Sequence, residues 1–236
     1  MILSNKPIAI IPCRLNSKRL PKKNIIKIKN KPMVSWIIKK AIRSNIFSKI
    51  IVSSESDLVA SICKKENATF HKRKKSLSKD SSTVVNVCKD VISSYGLSNQ
   101  KQQLFCCIYP TALLTIVDDF KKSYKFFLKS KKNSLISVSD YNLPPFQALH
   151  KRNDNWELLF KKYEKIQSNF YKDIYCDTGM FYWSSVYSLF KYNSFYSKKL
   201  GIFHIPPTRT CDLNNKNDLL LLNIKIRALD EKRIFI

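Results

Sequence analysis

The sequence predicts an α/β fold with a mainly parallel sheet and a small antiparallel insertion. Three observations point there. Strand-like and helix-like segments alternate along most of the chain, the order that builds a parallel sheet covered by helices. The runs Ile8 to Ile11 and Leu104 to Tyr109 are almost wholly apolar, as strands buried on both faces must be. Between residues 142 and 175 the pattern changes to alternating polar and apolar residues around Pro144, Pro145 and Trp156, which reads as antiparallel.

Ile8 to Ile11 forms the first strand. Pro32 opens a helix, because its fixed φ suits a first turn, and Met33, Trp36, Ile37 and Ala41 share one face of it. Ile50 to Val52 is a second strand. Leu58, Val59, Ile62 and Cys63 mark a helix that ends near Asn67, and Ala68 to Phe70 is a short third strand. Val84, Val87, Cys88, Val91, Ile92 and Tyr95 recur at helical spacing, so a helix runs from about Ser82 to Tyr95, and Gly96 ends it. Leu104 to Tyr109 is a central strand, Ile116 to Leu128 the helix after it, and Ser134 to Ser139 another strand. Phe181 to Trp183 and Ile202 to Ile205 are late strands, and Asn215 to Leu229 is a closing amphipathic helix. With no internal repeat or low-complexity linker, residues 1–236 read as a single domain with an insertion at about 142–175, an excursion suited to an oligomer interface.

The 236 residues, 44% of them hydrophobic, suffice for one sizeable core, and disorder is not the default reading. No apolar run reaches the 18 residues or so that a membrane helix needs. The first six residues lack the charged start and apolar core of a secretory signal, so a cytoplasmic location is expected. A net charge of +26 raises the question of nucleic acid. However, 35 Lys and only 8 Arg are spread along the whole chain, in a composition rich in Ile, Asn, Ser, Phe and Tyr with three Gly. That is the mark of a biased coding composition rather than a selected basic face. Nucleic-acid readers concentrate their charge and use Arg on base edges, so neither a specific nucleic-acid partner nor a membrane partner is expected. The seven Cys show no CxxC pair and no zinc spacing, and an odd number of thiols fits a reducing compartment. A Cys176 nucleophile paired with His150 or His204 has no further support.

The loop after the first strand is the most informative stretch. Ligands of open α/β sheets bind beyond the carboxyl ends of strands. Here Arg14, Lys18, Arg19, Lys22 and Lys23 place five cations within ten residues, with Ser17 and Asn24 as neutral hydrogen-bonding groups. Fixed cations of this kind neutralise a triphosphate. The loop lacks the glycines and the Gly-Lys-Ser/Thr ending of a Walker A motif, and it is not a dinucleotide fingerprint.

Pro12 to Asn24 resembles the signature of the acylneuraminate cytidylyltransferases (CMP-sialic acid synthetases), Pro-Ala-Arg-Gly-Gly-Ser-Lys-x-x-Pro-x-Lys-Asn. Cys13 stands for the Ala, and Leu15 and Asn16 for the two Gly. The resemblance implies a Rossmann-like nucleotidyltransferase fold. It also implies that Arg14, Ser17, Lys18 and Lys23 contact the phosphates of CTP, with Asn24 near the nucleotide. Further segments are similar in the same order. Lys31-Pro32-Met33 resembles the segment before the family's first long helix. Ile51 to Ser56 resembles its Val-Ser-Thr-Asp strand end, although a Ser-rich strand end can equally cap the next helix. Arg73 to Thr83 is similar to the loop that recognises cytosine, which implies that Arg73, Ser82 and Thr83 read the base. Ser81 and Ser82 taken alone read as a helix N-cap.

Tyr109, Pro110, Thr111 and Ala112 resemble the pseudaminic acid branch of the family, as do Tyr175 to Trp183 and Phe146 to Leu149. This implies that Tyr109, Thr111, Asp177, Gly179 and Tyr182 face the substrates. Gly179 is a place where a ligand can approach the backbone closely. Asp212, Leu213 and Asn214 stand where the family has Asp-Ile-Asp near magnesium. Asp212 and Asn214 are thus the implied Mg2+ ligands, with Asn214 keeping a carbonyl oxygen but no charge. Both residues also suit a turn or cap before the last helix.

The implied reaction joins CTP to the anomeric hydroxyl of a nine-carbon 2-keto sugar acid and releases pyrophosphate. Arg14, Lys18 and Asp212 carry the chemistry, and a homodimer is the expected assembly. The alternatives are the same transfer to N-acetylneuraminic, legionaminic or 3-deoxy-manno-octulosonic acid, and a nucleotide-binding module without catalysis.

Overall fold

The computed structural model describes residues 6–231, apart from 16, 18, 80, 142, 144, 168, 169, 171 and 172. β1 (Ile8–Pro12) is buried along its whole length. A hairpin of two-residue strands, β2 (Lys27–Ile28) and β3 (Lys31–Pro32), leads into α1 (Met33–Ser44). Pro32 is the N-cap of that helix, one residue before its first turn. β4 (Lys49–Ser54), α2 (Asp57–Lys65) and β5 (Thr69–Lys72) follow. The Ser56 hydroxyl caps α2 by accepting the Leu58 N–H at 3.2 Å. Next come α3 (Val84–Ser94), β6 (Leu104–Ile108), α4 (Val117–Lys129) and β7 (Ser134–Asp140). After β7 comes an antiparallel hairpin, β8 (Leu149–Arg152) with β9 (Asn155–Leu158). β10 (Tyr175–Ser185), α5 (Val186–Tyr192), β11 (Leu200–His204) and α6 (Lys216–Glu231) complete the chain.

Seven strands make one sheet in the order β11-β7-β10-β6-β1-β4-β5. β10 alone runs antiparallel, between β6 and β7. The expected α/β class with a mainly parallel sheet is therefore the observed one. Three elements go beyond the expectation. The late strand expected at Phe181 to Trp183 is eleven residues long, with an irregularity in register between Asp177 and Tyr182. α5 and the β2–β3 hairpin were not foreseen. The start of α3 is also corrected: Thr83 is its N-cap, accepting the Asn86 N–H at 3.2 Å, so the helix begins at Val84 and not at Ser82.

The sheet is covered on both faces. Ala9 and Ile11 of β1 pack with α1, α2, α4 and α6, while Ile8 and Ile10 pack with α3 and α5, as the two-residue period of a strand requires. Trp183 is fully buried, stacked on Phe47 and Tyr124 with ring centroids 5.7 and 5.1 Å away, and its indole N–H donates to Ser123 Oγ at 2.9 Å. From β1 the chain goes to one side, to β4 and β5, and then returns to β6 on the other. This change of direction opens a crevice beyond the carboxyl ends of β1 and β6.

Arg209 ties the segment after β11 to α4. It makes a two-pronged pair with Asp119, Nη1 to Oδ2 at 2.5 Å and Nη2 to Oδ1 at 3.1 Å. The same carboxylate accepts the Ile116 N–H at 2.8 Å and so caps α4. Removing one member of a buried pair strands the other charge. Asp119→Ala is therefore expected to lower stability by about 3–5 kcal/mol, as measured by urea denaturation. A loss under about 1 kcal/mol would refute this role.

Among the described residues, ten other than glycine have positive φ. Asn45, Asn67 and Asn193 lie just past helix ends, and Lys22, Lys29, Asn30 and Lys131 lie in turns or loops. Glycine is the usual occupant of such positions.

Candidate functional site

The loop after β1 is pinned to its surroundings. The Cys13 N–H donates to the Ser53 carbonyl at 2.8 Å, which continues the pairing of β1 with β4. The Leu15 N–H donates to Glu55 Oε1 at 2.8 Å. Asn24 is buried, and its amide donates to the Arg14 carbonyl at 2.8 Å, closing the loop across ten residues. Ser17 Oγ accepts the Leu20 N–H at 3.4 Å. The Lys23 ammonium donates to the Leu213 carbonyl at 3.1 Å and joins the loop to the turn that carries Asp212. Lys18 lies outside the described residues.

A cavity of about 210 Å³ lies in the crevice. Arg14, Lys23 and Asn24 line it from the loop after β1, Arg73 and Ser82 from the segment between β5 and α3, and Tyr109 and Thr111 from the end of β6. A neighbouring cavity of about 790 Å³ shares Arg73 and adds Leu15, Ser17, Lys22 and Glu55. Seven expected site residues thus meet at one cavity, and Ser17 faces the adjoining one. Thr83 does not join them; its hydroxyl caps α3. Ser82 Oγ donates to the Ser76 carbonyl at 2.9 Å and closes the turn that leads to that cap.

Arg73 is 4% exposed, a burial that guanidinium groups tolerate only with partners. Its Nε donates to Ser53 Oγ at 3.2 Å and its Nη2 to the Ser53 carbonyl at 2.6 Å. Burial lowers its pKa, and the Glu55 carboxylate works the other way. Burial also lowers the pKa of Lys23; Asp212 opposes this, while Arg19 and Arg14 add to it. Four charged side chains therefore interact at the inner end of the loop.

Asp212 is exposed, and its Oδ2 accepts the Asn214 amide at 2.6 Å. Asn214 Oδ1 is buried and has no hydrogen-bond partner among the described residues. Asp218 Oδ2 accepts the Asn214 and Asn215 N–H groups at 2.7 and 2.8 Å, and Asn215 Oδ1 accepts the Asn217 and Asp218 N–H groups. The start of α6 is thus satisfied by Asn215 and Asp218, leaving Asp212 and the Asn214 carbonyl for a ligand. One carboxylate and one unpaired carbonyl oxygen are a hard-oxygen set that fits Mg2+, which keeps several waters and takes phosphate oxygens as its other ligands. Among the described residues no three His, Cys, Asp or Glu cluster as a metal site, so the protein offers an incomplete shell.

The third group sits at the irregularity in β10. Gly179 has φ +60°, and its N–H donates to Asp177 Oδ1 at 2.8 Å. The Tyr182 and Tyr196 hydroxyls donate to Asp177 Oδ2 at 2.9 and 2.5 Å. Tyr182 meets Tyr109 edge to face at 5.7 Å, which connects this group to the cavity of about 210 Å³. Burial raises the Tyr109 and Tyr182 phenols; burial and the bond to Asp177 push Tyr196 up to about 12. All three stay protonated near neutral pH. Cys176 Sγ donates to the Ser139 carbonyl at 3.3 Å, and His204 pairs with Asp140 at 2.8 Å, so each has a partner other than the suggested thiol–imidazole pair.

Sequence reasoning missed two residues. Glu55 braces the loop after β1, and its only signal was its place at the end of a strand beside β1. Tyr196 follows the unforeseen α5 and belongs to no motif.

The cytidylyltransferase family model matches residues 8–187. The pseudaminic acid cytidylyltransferase of Campylobacter jejuni subsp. jejuni serotype O:2 is 29% identical over 228 residues, covering 96% of this chain and 98% of that protein. The N-acylneuraminate cytidylyltransferase of Streptococcus agalactiae serotype V is 25% identical over 218 residues, covering 91% of this chain and 52% of that longer protein. Among solved structures, a CMP:2-keto-3-deoxy-manno-octonic acid synthetase complexed with CTP superposes with a TM-score of 0.68 at 14% identity, covering 98% of this chain and 100% of that one. A 4-diphosphocytidyl-2C-methyl-D-erythritol synthase gives a TM-score of 0.69 at 10% identity, with 95% and 100% covered. At those identities the likeness is one of fold.

Proposed function

The chain belongs to the cytidylyltransferase family, and we propose that it transfers CMP from CTP to the anomeric hydroxyl of a nonulosonic acid, pseudaminic acid in particular. The observation that carries this reading is the meeting of Arg14, Lys23, Asn24, Arg73, Ser82, Tyr109 and Thr111 at one cavity in the crevice between β1 and β6. The hydroxyl oxygen attacks the α-phosphorus and loses its proton. The α–β anhydride bond breaks, and pyrophosphate departs.

Such a transfer depends on positioning and on neutralising phosphate charge. Arg14 and the partly buried Lys23 are set to hold phosphate oxygens, where low local polarity strengthens the attraction. Ser17 and Lys18 share this role by their place in the loop. Arg73, anchored on β4, is aimed at the base together with Ser82, while Thr83 supports them by starting α3. A bound Mg2+ supplies charge neutralisation at the phosphates, and Asp212 with the Asn214 carbonyl would hold it. Asp177 fixes the Tyr182 hydroxyl beside Tyr109, and Gly179 leaves room for the sugar acid.

The relatives' names support the choice of sugar, as does the Asp177 to Trp183 segment. The insertion exposes Leu149, Trp156, Leu159 and Phe170, an apolar surface that suits a second copy of the chain. The seven free thiols fit a reducing, cytoplasmic setting. No helix among the described residues is long and apolar enough to cross a membrane.

Pyrophosphate release with CTP and Mg2+, measured across a panel of sugar acids, tests the reading. Pseudaminic acid is expected to turn over fastest. Turnover of N-acetylneuraminic, legionaminic or 3-deoxy-manno-octulosonic acid without pseudaminic acid would overturn the choice of sugar. CTP binding with no turnover on any of them would leave a nucleotide-binding module.

A further inference from the structure

Behind Arg73 lies a buried polar chain with no part in the reaction above. His71, on β5, is 7% exposed. Its Nδ1 lies 3.1 Å from Ser53 Oγ, and its Nε2 lies 3.2 Å from Ser94 Oγ and 3.7 Å from Asp90 Oδ2. Ser53 Oγ is the oxygen that also accepts Arg73 Nε at 3.2 Å. Lys74 pairs with Asp90 Oδ1 at 2.7 Å, while Asp90 Oδ2 is buried without a hydrogen-bond partner among the described residues.

A guanidinium only donates. Ser53 Oγ therefore accepts from Arg73 and keeps its single proton free to turn toward His71 Nδ1. The imidazole is then neutral, with its proton on Nε2 facing Ser94 and the unpaired Asp90 oxygen. The charged and titratable groups around it are Asp90 from α3, Arg73 and Lys74 just after β5, and the Tyr95 ring at 6.3 Å, over which Lys49 places its ammonium. Burial lowers the His71 pKa; Asp90 opposes this, and Arg73 and Lys74 add to it. A proton on Nδ1 would deprive the serine hydroxyl of its acceptor and place a second cation beside a buried guanidinium.

We propose that His71 is a positioning residue for Arg73: its neutral ring orients the Ser53 hydroxyl so that the guanidinium stays aimed at the pyrimidine of CTP, and protonating the ring loosens that hold. The inference rests on the assignment of Arg73 to the nucleotide site.

Calorimetry of the full chain with CTP, between about pH 5 and 8 where histidine titrates, tests it. Wild-type affinity is expected to fall by up to about tenfold per pH unit below the His71 transition. His71→Asn keeps an oxygen that can take the serine proton but does not titrate here, so it should follow only the ligand's own ionisation. His71→Ala should melt lower, since it leaves a cavity and unpaired hydroxyls, but remain folded at 25 °C and bind CTP several-fold more weakly near neutral pH. The chain has three His, so the imidazole signal missing from His71→Asn in NMR spectra identifies His71, and CTP should lower its pKa. His71→Asn keeping the full wild-type pH dependence, or an imidazole titration that CTP does not move, would overturn the proposal. If Arg73→Lys leaves CTP affinity unchanged, the nucleotide-site reading fails. If Arg73→Lys weakens CTP while both His71 variants bind as wild type, the inference alone fails.

Discussion

Lys23→Ala is expected to lower kcat/KM for CTP by about 10²–10³-fold, the usual cost of losing one fixed donor at a reacting group. Two features of the side chain set this expectation. Burial disfavours its charge while Asp212 supports it, so the ammonium is held in a place where it interacts strongly with any added anion. Its bond to the Leu213 carbonyl at 3.1 Å also links the loop after β1 to the Asp212 turn. Alanine removes a cation and loosens that link together. The fold should survive, because Asn24 and Glu55 still pin the loop to Arg14 and Leu15. Steady-state pyrophosphate release and a melting curve make the check; turnover within about threefold of wild type would refute the phosphate role.

Asp212→Ala is expected to cost about 10²-fold or more in kcat and to remove most of the Mg2+ dependence of CTP binding. Asn214→Asp should act in the opposite direction. At present the Asn214 amide donates to Asp212 Oδ2 at 2.6 Å. A carboxylate there would instead repel Asp212 until a dication neutralises both. That variant should melt lower without Mg2+ and gain more stability from added Mg2+ than wild type. Calorimetry and melting curves across a Mg2+ series measure both effects. Unchanged Mg2+ dependence in Asp212→Ala would remove Asp212 from the metal site.

What was legible in the sequence depended on physical repetition. β1, β6 and α3 repeat apolar residues at a strand or helix period, and each appeared near its predicted place. The β2–β3 hairpin has two residues per strand, too few to show any period, and α5 spans only seven. The direction of β10 could not be read, since an apolar run looks the same either way along the sheet. Its first half, around Asp177 to Gly179, is polar and irregular because it carries the tyrosine-bound carboxylate. The start of α3 shifted from Ser82 to Val84, with Thr83 as its cap, because three adjacent hydroxyl residues compete for that cap. The loop after β1 was legible because its order of residues is specific, although its charge was not informative in so basic a chain. Tyr196 and His71 were invisible because each acts through a neighbour brought near only by the fold, and Glu55 showed only as part of a strand end.

The left-handed bends carry a consequence for the heat tolerance of this chain. With three Gly in all, bends such as Lys22, Lys29, Asn45, Lys131 and Asn193 are filled by residues that a nucleotide-biased coding sequence supplies readily. An L-residue other than glycine in this conformation costs roughly 1–2 kcal/mol, less for Asn. The strain is spread thinly over turns that mostly lie away from the reacting centre. The architecture can therefore hold more heat tolerance than this sequence realises, and glycine at Lys131, which lines neither cavity, is a short mutational route to it.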